Sequence, residues 1–418
     1  MRHKSGFIAA GLALLWAAPA SADTVCDWME FANRVANGVP PPPPGAPRTP
    51  DHDRAITQIA LAMFEAVNAI DRRYESYLSI APGEATASQD AAAATAAYRV
   101  LLAHYPDQKA ALDESNQVAM DAVSDPARRE AGRLLGEKAA VAALAVGGID
   151  PAYVQQPYRP RTMPGVWVGA TLPVIEPFST AFKPWVVASE ALRPPPPPAL
   201  TSARWARDYD EVRRMGGRTG SERTPHQSLM ARYRITPDMA PSLRLAAEAE
   251  GRAPVQNARM FALVQMAADD TYMATQAAKV HYNFWRPITA IRNGADDGND
   301  ATAPDPGWAP LINTPNHPEY PCGHCTFAGA VAEVMSAEVG PRPKAGVRVS
   351  SYSIPNAAVQ VLPSSDEWVR QVSDSRIYGG VHYRFSNEAG EAVGRGGARM
   401  VMDAALRPLP ASKQRRAR

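Results

Sequence analysis

The stretch AITQIALAMFEAVNAI sets Ile56, Ile59, Met63, Val67 and Ile70 on a single stripe at helical spacing. Patterns of this kind recur along the chain, and alternating strand patterns are scarce. Ala-rich helical segments follow at about 86–104, 108–123 and 127–146, and further helices are predicted near 201–214 and 240–250. A long helix is predicted from about Pro254 to Trp285, ended by Pro287. Another starts after Pro321 and runs to about Glu338, and the last spans about Ser386 to Leu406. With 418 residues, 45% of them hydrophobic, the chain can bury a sizeable core. The pattern predicts an all-α protein of packed helix bundles, without internal repeats.

The first residues, MRHKSGFIAAGLALLWAAPASA, have a charged start, an apolar run and a small-residue end. They predict a secretory signal cleaved near Ala22 and a periplasmic or secreted product. Without Arg2 and Lys4 the 44 Lys+Arg fall to 42, matching the 42 Asp+Glu, which argues against a general nucleic-acid binder. No later segment approaches the roughly 18 uninterrupted apolar residues of a membrane span. Proline runs at 40–44 and 194–198 read as stiff, extended surface connectors. The predicted organisation is a signal at 1–22, an N-terminal helical region at 23–198, a C-terminal helical bundle at 199–410 and a solvated basic tail at 411–418. Export implies an oxidising compartment, where Cys322 and Cys325 can pair, leaving Cys26 over.

Three stretches carry candidate chemistry. In KVHYNFWRPIT, Lys279 and Arg286 are seven residues apart, so one helix face presents both, roughly 10 Å apart along the axis. In YPCGHCTFAGA, Pro321 opposes a regular strand, Gly323 permits close backbone approach, and a helix starting there offers free N–H groups to an anion. His324 lies at the edge of that seat, placed to donate or accept a proton. In SRIYGGVHYRFS, Gly379 and Gly380 break the helical path between Arg376 and His382, so a turn can bring both side chains inward.

In this order, Lys-x6-Arg-Pro (Lys279, Arg286, Pro287), Pro-x-Gly-His (Pro321, Gly323, His324) and Ser-Arg-x5-His (Ser375, Arg376, His382) resemble the three-part signature of the type 2 phosphatidic acid phosphatase and vanadium haloperoxidase superfamily. Length and the N-terminal helical half resemble its soluble bacterial haloperoxidase-like branch. The resemblance implies that Lys279, Arg286, Cys322, Gly323, His324 and Arg376 hold a tetrahedral oxyanion, vanadate or phosphate. It implies that His382 bonds the central atom, coordinating vanadium in a haloperoxidase or attacking phosphorus in a phosphatase, with His324 as acid/base partner. In a haloperoxidase, vanadate is the cofactor, Lys279 polarises hydrogen peroxide, and a halide is oxidised. In a phosphatase the substrate is a phosphomonoester and no cofactor is needed. Relatives are often dimers or larger, which leaves a homo-oligomer open. Three cations suit such an anion, because arginine forks match oxyanion edges and each charge-assisted hydrogen bond contributes about 1.5–3 kcal/mol.

The match has departures. Cys322 stands where the family usually has serine, and Ser386 where an aspartate often follows the last histidine by four residues. The acidic partner of His382 is therefore missing or supplied from elsewhere, and Ser386 is expected to cap the last helix. His317, five residues before Cys322, is the halide-side candidate. Bromoperoxidase-like relatives carry histidine there and chloroperoxidase-like ones an aromatic, which favours bromide or iodide. Asp270 matches an acid common in the family and suggests helix solubility or a buried ion pair. Cys-Gly-His-Cys also admits a thiol-exchange motif, a zinc site or a plain disulfide. Exchange would need a strand in a βαβ frame, and zinc a second ligand pair. A disulfide would make the Cys322 thiol unavailable to the anion. The leading reading is an exported vanadium-dependent haloperoxidase. Behind it stand a soluble acid phosphatase of the same fold and a non-catalytic oxyanion binder.

Overall fold

A 29-residue helix, about 43 Å long, is the axis of the protein. In the computed structural model, which describes residues 23–36, 38, 52–154, 158–169, 174, 178–235, 237–238, 243–244, 251–354 and 357–410, there are twelve α-helices among the described residues. The predicted signal, the first proline run, most of the predicted helix at 240–250 and the basic tail lie outside those residues. The helices are α1 (Thr24–Ala36), α2 (His52–Ile70), α3 (Gln89–His104), α4 (Lys109–Asp121), α5 (Pro126–Leu144), α6 (Ala203–Gly216), α7 (Pro225–Tyr233), α8 (Pro254–Tyr282), α9 (Pro287–Arg292), α10 (Gly323–Val339), α11 (Ser365–Gly379) and α12 (Arg384–Ala404). A small antiparallel sheet, β1 (Pro237–Asp238), β2 (Val347–Ser351) and β3 (Gln360–Leu362) in that order, accompanies them. No described helix is long and apolar enough to cross a membrane.

Side chains at the helix starts replace the missing backbone partners. Ser88 caps α3 by accepting from the Ala91 N–H, Asp125 accepts from Ala127 and Arg128 ahead of α5, and Thr224 and Gln227 cap each other reciprocally at α7. The axial helix α8 is buried over most of its surface and is packed by α2, α10 and α12. Helices α10 and α12 approach closely because Gly390 and Gly394 present no side chain to the Cys322 and Thr326 carbonyls.

Helix α8 is shorter than its sequence pattern predicts. Asn283 takes the left-handed conformation (φ 44°) and its N–H bonds back to the Lys279 carbonyl, ending the helix before Trp285. Arg286, biased away from helical geometry by Pro287, is extended and stands at the N-cap position of α9 instead. The expectation that Lys279 and Arg286 share one helix face is therefore corrected.

Asp270 has a structural task. Its buried carboxylate accepts the backbone N–H groups of Trp185 (2.7 Å), Val186 (2.8 Å) and Val187 (2.8 Å), and burial raises its pKa. Beside it, Asp269 accepts the Trp185 indole N–H at 2.6 Å and pairs with buried Arg54 at 3.3 Å. The second proline run, expected to be a plain connector, is also tied down, since the Tyr282 and Tyr320 hydroxyls donate to the Pro194 and Pro195 carbonyls.

Helix α11 ends at Gly380, whose φ of 76° is left-handed and whose Cα has no room for a methyl group. An added Cβ would lie 2.5 Å from the Gly216 carbonyl oxygen and 2.9 Å from Pro310 Cβ. Gly380→Ala is expected to lower stability by about 2–4 kcal/mol, combining left-handed strain with overpacking. The check is the midpoint and slope of urea unfolding.

Candidate oxyanion site

Lys279 stands in the last turn of α8, Arg286 at the start of α9 and Arg376 in the last turn of α11. Their exposures are 1%, 1% and 2%. Removing such ions from water costs several kcal/mol each unless their hydrogen bonds are replaced. Lys279 Nζ donates to the carbonyls of Glu319 (2.7 Å) and Pro321. Arg286 donates through Nε to His317 O (3.0 Å), through Nη1 to Val381 O (2.8 Å) and through Nη2 to Pro318 O (3.3 Å). Arg376 differs: its Nε and Nη2 have no hydrogen-bond partner among the described residues. Burial, and then the nearby Arg286 charge, push Lys279 well below the usual lysine range. Burial lowers Arg286 to about 10, against the opposing pull of Glu319. Burial and Arg286 lower Arg376 to about 10.

His382 lies in the short link between Gly380 and α12, held on both ring nitrogens. Arg286 Nη1 is 3.1 Å from Nε2. A guanidinium only donates, so Nε2 carries the lone pair and the ring proton sits on Nδ1. Nδ1 donates to Glu319 Oε1 at 2.6 Å. Burial, with Arg286 and Lys279 behind it, keeps the imidazole neutral far below its ordinary pKa. Glu319 is fully buried in the loop before Pro321, and Oε1 also accepts the Tyr383 N–H at 3.2 Å. Burial raises its pKa to about 7, against the opposing pull of Arg286 and Lys279. This carboxylate is the acidic partner of His382 that the sequence spacing did not place. Ser386 is not a cap, because α12 begins at Arg384 with Tyr383 before it. Its hydroxyl instead lies 3.5 Å from His382 Nδ1, beside the Glu319 carboxylate.

His324 is in the first turn of α10. Its Nε2 lies 2.8 Å from the Ile235 carbonyl, which only accepts, so the proton is on Nε2 and the lone pair on Nδ1. Burial and the Arg376 charge push its pKa down to about 3. His317 Nδ1 lies 3.2 Å from Arg286 Nη2, and burial and the same arginine hold this ring neutral.

Cys322 is disulfide-bonded to Cys325, and both sulfurs are buried. It therefore has no thiol hydrogen to give an anion, and the contact expected of it is withdrawn. The bonded sulfurs provide no thiolates for zinc, and their burial denies access for thiol exchange. Gly323, by contrast, borders open space: an added Cβ would have Thr275 Cγ2 as its nearest neighbour, at 3.9 Å.

Lys279, His317, Gly323, His324 and His382 line one cavity of about 320 Å³. Arg286 stands directly behind it, touching His317 and His382, and Arg376 is near enough to depress the pKa values of both His324 and His382. Sequence reasoning missed Glu319 and the wall residues Gln276, Phe327 and Trp368. The only hint of Glu319 was an acid set between two prolines in HPEYP.

Residues 259–410 match the family model of the VCPO second helical-bundle domain. The vanadium chloroperoxidase of Curvularia inaequalis is 40% identical over 88 residues, a match covering 19% of this chain and only 14% of that protein's length. A crystal structure of a bacterial vanadium-dependent iodoperoxidase superposes with a TM-score of 0.73 at 20% identity, covering 94% of this chain and 98% of the other. A holo-type bacterial vanadium-dependent chloroperoxidase gives 0.64 at 16% identity, covering 91% and 92%. The chain thus shares its fold along nearly the whole length with bacterial vanadium-dependent haloperoxidase structures, and its motif-bearing bundle matches the VCPO second helical-bundle domain in sequence.

Proposed function

We propose that the protein is a vanadium-dependent haloperoxidase that oxidises bromide or iodide with hydrogen peroxide. One observation carries the reading. Three buried cations gather at this site, only Lys279 and Arg286 have the buried Glu319 carboxylate as a charge partner, and Arg376 keeps two nitrogens without a partner among the described residues. A tetrahedral oxyanion supplies the missing charge and acceptors.

Vanadate fits this donor set. Lys279, Arg286 and Arg376 would hold its oxygens, the Gly323 N–H at the start of α10 is an uncharged donor, and His382 Nε2 would be its nitrogen ligand. When bound, vanadate supplies a Lewis-acidic centre that activates peroxide toward halide. Glu319 keeps the ring proton on His382 Nδ1 and so leaves the Nε2 lone pair available. His324 lines the cavity with its lone pair on Nδ1. His317 supports a bromide or iodide preference through the histidine carried there by bromoperoxidase-like relatives, and the iodoperoxidase neighbour fits that preference loosely. Export is inferred from the apolar leader, and the Cys322–Cys325 bond suits an oxidising compartment.

The phosphatase reading asks His324 to act as a general acid. Its one proton is directed at the Ile235 carbonyl, which leaves none on Nδ1 for a leaving group. The fold shared along nearly the whole length with bacterial haloperoxidase structures supports placing the peroxidase first. After preincubation with vanadate, the protein is expected to brominate a diketone dye in a peroxide-dependent reaction, to leave nitrophenyl phosphate intact without vanadate, and to lose bromination in His382→Ala. Vanadate-inhibited hydrolysis without bromination would replace this reading with a phosphatase, and neither activity would leave an oxyanion binder. A second expectation concerns Glu319. Glu319→Ala should weaken vanadate binding by about 10- to 100-fold, the usual effect of removing a partner of a ligating histidine. Adding Ser386→Asp should restore most of the affinity, because an acid at that position reaches the same ring. Calorimetric titration measures both, and an unchanged affinity in Glu319→Ala would remove Glu319 from the account.

A further inference from the structure

His324 leans on a backbone carbonyl that lies outside the regular elements. Ile235, whose oxygen is 2.8 Å from His324 Nε2, sits between α7 and β1. Its side chain is 38% exposed, so side-chain packing does little to fix this peptide. The preceding residue is anchored more firmly. Arg234, at the C-cap of α7, is fully buried, and its Nη2 donates to Gln360 Oε1 on β3 and to Gln371 Oε1 on α11, each at 2.6 Å. Gln371 gives its own amide N–H to Glu367 Oε1 at 2.8 Å, which turns the amide oxygen toward the arginine. Beside it, the Tyr233 hydroxyl donates to the Val349 (2.7 Å) and Ala358 (2.9 Å) carbonyls. The end of α7 is thus tied to the sheet and to the helix that carries Arg376. Stability alone does not account for an arginine here. Its Nε and Nη1 have no partner among the described residues, and burial lowers its pKa to about 10. A buried cation supplied so sparsely is a poor source of stability. What it offers is a rigid fork between two elements.

We infer that Arg234 is a positioning residue for His324. By bridging β3 and α11 it fixes the Ile235 carbonyl one residue further on. That carbonyl holds the ring proton on Nε2 and leaves the Nδ1 lone pair to the cavity, which Ile235 and His324 both line. A ring released from the carbonyl would divide its proton between the two nitrogens, and the Nδ1–H form has a donor where the bound ring has an acceptor. The bearing of this acceptor on turnover rests on the haloperoxidase reading; the tautomer itself does not.

The test reads the tautomer and needs no turnover. The chain holds eight histidines, few enough for selective labelling with nitrogen-15 histidine to separate their rings. The full chain is measured by NMR near neutral pH without vanadate, peroxide or halide, and the two ring nitrogens of His324 are assigned by their loss in His324→Gln. The unaltered protein is expected to show one tautomer, protonated on Nε2. Arg234→Met should raise the ratio of Nδ1–H to Nε2–H at least about twofold, the scale of losing one hydrogen bond. Arg234→Lys keeps a donor for the two glutamines and should restore most of the original ratio. If Arg234→Met does not fold, Gln371→Leu, which removes one acceptor and leaves the cation, carries the same expectation. An unchanged His324 spectrum in the variant that folds, even with a lowered urea midpoint, makes Arg234 a purely structural residue and overturns the inference. Nδ1–H as the major form in the unaltered protein overturns it as well. Because neither vanadate nor activity enters the measurement, a tautomer shift without bromination sinks the peroxidase alone, and bromination with an unshifted tautomer sinks this inference alone.

Discussion

Burial of positive charge organises the loops around the cavity. Lys279 and Arg286 have left water, and together they are solvated by carbonyls of residues 317, 318, 319, 321 and 381. Those carbonyls belong to irregular backbone, which is ordinarily a poor thing to bury because its polar groups lack partners. Here each need answers the other. The loop before α10 is folded around two cations, and the cations are tolerated because the loop turns its oxygens toward them. Arg376 sits in regular helix, and its Nε and Nη2, without partners among the described residues, are the atoms the proposed oxyanion would meet.

The same logic explains the placement of Glu319. A carboxylate four residues after His382 would approach the ring from α12, and serine stands there. Glu319 approaches from the loop that already wraps Lys279, so one short segment supplies a carbonyl to one cation and a carboxylate to the histidine. Full burial raises its pKa to about 7 despite two neighbouring cations.

What could be read from the sequence follows from the range over which each signal acts. The stripe in α2, the Ala-rich helices and the start of α10 after Pro321 are local patterns and match the observed elements closely. The motif residues were legible because their types and order are specific even where their geometry was misjudged. Arg286 was placed on the wrong element because Asn283 is one of the few non-glycine residues that enters the left-handed region readily, and it ends α8 early. Helix α11 was overlooked because it is polar overall; its buried Trp368, Val369, Val372 and Ile377 do follow helical spacing. Glu319 was invisible because its contact spans 63 residues. The Cys322–Cys325 bond could be named as an option from a separation of three, but the separation alone cannot choose between thiols and disulfide.

The disulfide also bears on how the anion is held. A serine at 322 would contribute a neutral hydroxyl; the bonded sulfur contributes none, so recognition of the proposed anion would fall to cations and the helix-start amide. Cations attract phosphate and vanadate alike, which makes charge a poor basis for telling them apart. Discrimination must then come from the one feature that differs between the two ions, the readiness of the central atom to accept a fifth ligand. That readiness is met by a single atom of the chain, His382 Nε2, kept deprotonated by the proton that Glu319 holds on the other side of the ring. On the proposed reading, the selectivity of the site would depend on one hydrogen bond, while its affinity would be spread over three charges.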